Sequence, residues 1–99
     1  WLDDEAPAAP LVEIESKDGK VHVNWFHENV DDVNQWVVYF QRGQHWDYQI
    51  LTSDNEAYVL PLVIRSEDGM TPPKLLDTIA VTAIDRLGNE SERVYISVR

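Results

Sequence analysis

The chain contains no cysteine, which excludes disulfide staples, thiol nucleophiles and cysteine-ligated zinc. It is also poor in bases: 8 Lys and Arg stand against 18 Asp and Glu, a net charge of −10. Such a surface repels phosphate backbones and anionic lipid headgroups, so nucleic acid is excluded as a natural partner. No apolar run approaches the ~20 residues of a spanning helix, so membrane insertion is not expected, and no signal peptide is recognisable. There is no internal repeat and no low-complexity segment. The chain opens on Trp1 rather than methionine, which suggests a piece of a longer polypeptide.

Ninety-nine residues suffice for one domain with one two-layer core. A hydrophobic fraction of 43% predicts a folded globule rather than a tail. The acidic, Ala/Pro-rich lead, residues 1–9, resembles a linker from an upstream domain, and residues 10–99 form the domain proper.

Period-two alternation dominates the chain. Leu11 to Glu15 reads as a first strand, followed by an Asp18-Gly19 hairpin turn. Val21 to Trp25 places Val21, Val23 and Trp25 on one face, with His22 and Asn24 on the other. After an acidic loop from Glu28 to Asn34, Trp36 to Phe40 is the strongest strand, β-branched or aromatic at every position. Its Trp36, Val38 and Phe40 share one face; Val37 and Tyr39 share the other. Arg42-Gly43-Gln44 reads as a hairpin turn leading into Trp46 to Leu51. Ala57 to Leu62 is a further strand, which Pro61 pushes toward a sheet edge. Val63 to Pro73 reads as a long loop, followed by a short helical turn over Lys74 to Asp77. Thr78 to Ile84 then turns Ile79, Val81 and Ala83 inward. After a turn at Asp85 to Asn89, Arg93 to Val98 is the final strand, with Val94, Ile96 and Val98 on one face. Short strands at about ten-residue spacing, without an amphipathic helix, predict an all-β antiparallel sandwich of about seven strands.

Four segments resemble a fibronectin type III-like (immunoglobulin-like) domain. They are the proline-led Ala8-Ala9-Pro10-Leu11, the Val21-x-Val23-x-Trp25 strand, Trp36-Val37-Val38-Tyr39, and the run from Ile79 through Asp85-Arg86-Leu87-Gly88-Asn89-Glu90-Ser91. The likeness spans Pro7 to Val98. It departs from the family at Asp77, which stands at about the position of a customary tyrosine. The Val81 to Ser91 run further resembles the C-terminal module of secreted Bacteroidetes glycoside hydrolase-like proteins. That resemblance implies a non-catalytic accessory sandwich beside an upstream catalytic domain of the same chain, a (β/α)₈ barrel, in a protein that is secreted, periplasmic or at the cell surface.

The chemistry-bearing residues suggest no reaction. Glu28, Asp31 and Asp32 share one loop, and Asp85 and Glu90 another, but a 99-residue sandwich offers carboxylates no obvious deep cleft. The Asp31-Asp32-Val33-Asn34 run lacks calcium-loop spacing. His22, His27 and His45 lack metal-ligand spacing, so no metal and no cofactor is expected. Asn89-Glu90-Ser91 matches a glycosylation sequon but is read as a turn, for which Gly88-Asn89 supplies the backbone angles. The aromatic residues are more informative. Trp25 and Trp36 belong to the core by their strand parity. Val37, Tyr39 and Tyr95 point to the opposite, outer face, and Trp46 with Tyr48 shares a face of an edge strand. These five residues form a candidate exposed patch for docking a neighbouring domain. Two alternatives stand beside docking: a polysaccharide-binding module, with Asp47 and Gln49 as polar neighbours of the rings, and an adhesin-type surface module. A monomer is expected.

Overall fold

The computed structural model describes residues 7–28, 30–65, 69–70 and 72–98. Trp1 and most of the lead lie outside them. The described chain forms eight strands: β1 (Leu11–Lys17), β2 (Lys20–Phe26), β3 (Gln35–Arg42), β4 (His45–Thr52), β5 (Ala57–Pro61), β6 (Val63–Ile64), β7 (Lys74–Ile84) and β8 (Ile96–Ser97). A 3-10 turn at Val30–Asp32 sits inside the acidic loop.

Two antiparallel sheets face each other. One has the order β1-β2-β5; the other runs β4-β3-β7-β6, with β8 pairing a different part of β7. The β1–β2 hairpin closes with Lys17 opposite Lys20 around Asp18 and Gly19, at φ of 54° and 76°. Positive φ at both central residues matches the right-handed strand twist, and an Asp-Gly pair tolerates it.

Strand parity builds the core. Val21, Val23, Trp25 and Leu60 of one sheet meet Trp36, Val38, Leu76, Ile79, Val81 and Ala83 of the other. The Trp25 and Trp36 rings lie 5.9 Å apart, and the Trp36 indole N–H donates to the Ser53 carbonyl at 3.2 Å. Each fully buried aliphatic side chain contributes about 1.5–3 kcal/mol of transfer free energy, so this seam dominates the stability.

Polar contacts pin the two ends. At one end, the His27 Nε2–H donates to the Ala8 carbonyl at 2.8 Å, fastening the lead to the sandwich. At the other, the buried Arg42 guanidinium reaches across to the ends of β5, donating to the carbonyls of Pro61 at 2.7 Å and Leu62 at 3.5 Å. The β3–β7 register shifts between Gln41 and Arg42, beside which Asp77 Oδ2 accepts the Gly43 N–H at 3.0 Å.

Three segments differ from the sequence reading. Val63 and Ile64, read as the start of a long loop, form β6 against Leu75 and Lys74. Lys74 to Asp77 is extended, not helical, because Lys74 and Leu75 pair with β6 and Leu76 pairs with Arg42. The final strand is shorter than Arg93 to Val98. Glu90 bridges Ile84 and the Ser91 N–H meets the Ala83 carbonyl, after which the chain regains the ladder only at Ile96. Val94 is therefore 52% exposed instead of inward-facing.

Candidate functional site

Directly opposed residues of an antiparallel pair share a face. The register aligns Val37 with Ile50 and Thr82, Tyr39 with Tyr48 and Ala80, and Gln41 with Trp46 and Thr78. All nine side chains therefore belong to the outer face of the larger sheet.

Of the five residues named from the sequence, the structure gathers four at the surface. Trp46 and Tyr95 meet edge to face at 5.6 Å, and Tyr39 and Tyr48 are tilted against each other at 6.3 Å. Trp46, Tyr48 and Tyr95 remain 42%, 58% and 56% exposed. Val37 is different: at 3% exposed it is the floor of the patch and not part of its surface. The reason is position, since β3 is an inner strand and Val37 has an Ile50 on one side and Thr82 on the other.

Three residues complete the site that strand parity did not single out. Arg93 stacks its guanidinium 3.9 Å from the Tyr39 ring centroid and donates to the Tyr39 hydroxyl at 3.2 Å. That hydroxyl donates in turn to Glu90 Oε2, which also accepts from the Thr82 hydroxyl at 2.6 Å and lies 4.0 Å from the Arg93 Nε. Burial and the Glu90 hydrogen bond together raise the Tyr39 pKa above its ordinary value near 10. Alternation did offer one signal, for Arg93 lies two residues from Tyr95 and thus on its side of the segment. Glu90 carried none, because the bridge to Ile84 that places it is an isolated one outside any strand.

Two of the acidic residues considered for chemistry, Asp85 and Glu90, are held by hydrogen bonds within the fold. Asp85 Oδ1 accepts the N–H groups of Leu87 and Asn89, both at 2.9 Å, and its Oδ2 accepts from the Asn89 amide. The Asn89 N–H is the leading cause that draws the Asp85 pKa below its usual value. Glu90 is engaged by Tyr39 and Thr82. Among the described residues, no three His, Asp or Glu side chains converge as a metal site would require. Two hollows lie among the described residues: one of about 230 Å³ is lined by Ala8, Ala9, Leu11, Phe26, His27 and Glu28, and one of about 180 Å³ by Phe40, Arg42, His45, Asp47, Ile64 and Lys74.

No protein-family profile and no curated protein matches the chain by sequence. Solved structures do resemble it. The spore cortex lytic enzyme SleM of Clostridium perfringens superposes with a TM-score of 0.62 and 21% identity, over 92% of this chain and 27% of the enzyme. The chain thus spans about a quarter of that protein's length. A myokine structure matches with a TM-score of 0.60 and 17% identity, covering 92% of this chain and 96% of the other. A fibronectin type III domain of human collagen XX matches with a TM-score of 0.62 and 9% identity, covering 93% and 91%. At these identities the likeness is one of fold, and the fold is a fibronectin type III-like β-sandwich.

Proposed function

We propose that the chain is a non-catalytic accessory module whose outer sheet face docks a neighbouring domain of its own polypeptide. One observation carries this reading: three large aromatic side chains stay exposed on a face whose floor is already dry, with Val37, Ala80 and Thr82 buried beneath them. A polar outer face is what a free-standing sheet needs, and aromatic exposure of this kind is relieved by burial against another surface.

The ring geometry separates docking from sugar recognition. A glycan platform stacks pyranose rings on open, roughly coplanar aromatic faces. Here the pairs are inclined by 46° and 64°, and Arg93 occupies one face of Tyr39. Rings that already pack on one another favour a protein surface of matching relief. The placement of a similar sandwich within a spore cortex lytic enzyme supports a parent in which such a module accompanies a hydrolytic domain, as in a secreted bacterial glycoside hydrolase.

The test compares chemical accessibility of Trp46, Tyr48 and Tyr95 in the 99-residue chain and in the longer polypeptide encoding it. Docking makes all three less reactive in the longer protein while Tyr58 keeps its reactivity. Unchanged reactivity at all three overturns the reading. An NMR titration with plant and host glycans tests the sugar alternative, through a saturable shift of the Trp46 indole N–H.

A further inference from the structure

The sheet edges of this molecule are not equally protected. β1 carries Glu13, Glu15 and Lys17, β5 carries Pro61, and β6 and β8 are two residues long. Charge, proline and brevity each discourage pairing with another chain. β4 is an edge strand of eight residues with no proline, glycine or lysine and a single carboxylate, Asp47. All of it except Leu51 is exposed, on both faces. Alternate residues of β4 turn their backbone groups away from β3. The Tyr48 N–H is met by Asp47 Oδ1 at 2.8 Å, and the Ile50 carbonyl by the Gln49 side-chain amide at 3.3 Å. Trp46, Tyr48 and Ile50 therefore carry the outward groups, and the side chains that meet those of Tyr48 and Ile50 are exposed ones that a partner strand would displace.

We propose that β4 pairs antiparallel with β4 of a second copy of this chain, about a two-fold axis at Tyr48. In this register Trp46 faces Ile50 of the partner subunit, and Asp47 faces Gln49 of the partner subunit. Sliding by one pleat in one direction sets the two Asp47 carboxylates against each other. Sliding the other way puts Trp46 opposite a threonine. Antiparallel pairing also brings the Asp54 and Glu56 turn of each copy toward the hairpin end of the other, where Lys74 borders the smaller hollow together with Asp47. Pairing at the edge leaves the aromatic face open and doubles its length, so it is compatible with docking there.

Sedimentation equilibrium of the 99-residue chain, with amide hydrogen exchange at low and high concentration, tests the dimer. The expected result is a concentration-dependent dimer in which the Trp46, Tyr48 and Ile50 amides exchange about tenfold more slowly, while Asp47 and Gln49 are unchanged. Gln49→Lys places a cation opposite each Asp47 and tightens association about threefold; Gln49→Asp places like charges there and weakens it by at least as much. Far-UV circular dichroism checks that both variants keep the fold. A chain that stays monomeric at millimolar concentration overturns the proposal. So does a dimer indifferent to both Gln49 variants, which would use another surface.

Discussion

Tyr39 ties β3 to the segment 90–93 at one oxygen. Its hydroxyl donates to Glu90 and accepts from Arg93, and its ring lies beneath that same guanidinium. Because burial and Glu90 favour the neutral phenol, the folded protein holds this proton more tightly than the unfolded chain. The stabilisation is complete below the unfolded value near 10 and is lost as pH rises through the folded pKa. Denaturation midpoints are therefore expected to fall above pH 10, and Tyr39→Phe is expected to flatten that decline. Absorbance titration should show a late-ionising phenol that Tyr39→Phe removes. Asp85 acts in the opposite sense, since its depressed pKa adds stability above the usual carboxylate range that disappears as pH falls through the folded value. Arg42 is a third residue with a specific task. Two of its nitrogens hold carbonyls of Pro61 and Leu62, while its buried Nε has no partner among the described residues. A lysine cannot span both carbonyls, so Arg42→Lys should cost about 1–2 kcal/mol in urea denaturation.

Among the elements, the β1–β2 hairpin shows how far local chemistry reaches. Gly19 has open space around a would-be Cβ, so the whole cost of Gly19→Ala comes from its φ of +76°. That substitution should destabilise by about 1–2 kcal/mol, whereas Asp18→Asn should be nearly neutral. Thermal melts of the two variants distinguish a conformational origin from a packing one. The hairpin and the parity of β2, β3 and most of β7 were legible because each depends on neighbouring residues alone. Lys74 to Asp77 was not legible as strand. Its residues became extended by pairing with Val63 and Ile64 and with the hairpin end of β3, partners that lie at least ten residues away. The last strand was overextended for a related reason: alternation continues through Val94, but the ladder it requires is interrupted between Ser91 and Ile96.

Across the whole molecule, two thin sheets enclose one layer of side chains, and there is little redundancy. Ile79 is fully buried at the centre of β7. Ile79→Ala should cost about 2–5 kcal/mol, a large part of the roughly 5–15 kcal/mol that holds a domain together. Trp46→Ala, by contrast, should change the urea midpoint little in the free chain, because Trp46 rests on an edge strand and remains 42% exposed. Under the proposed docking, its effect would fall on partner binding, read as lost protection of Tyr48 and Tyr95 in a longer polypeptide that contains the chain.

The sequence by itself determined the all-β class, the two tryptophans of the core, the outward parity of Tyr39 and Tyr95 and the shared face of Trp46 and Tyr48. Alternation and turn residues are local properties, and a strand's inward side follows from them. Only the tertiary structure decided what those outward residues meet. It buried Val37 through its neighbours on both flanks, clipped Arg42 to the ends of β5, and laid Arg93 over Tyr39 from 54 positions along the chain. Contacts at that separation depend on which strands adjoin and in what register, and no short window of sequence contains that information.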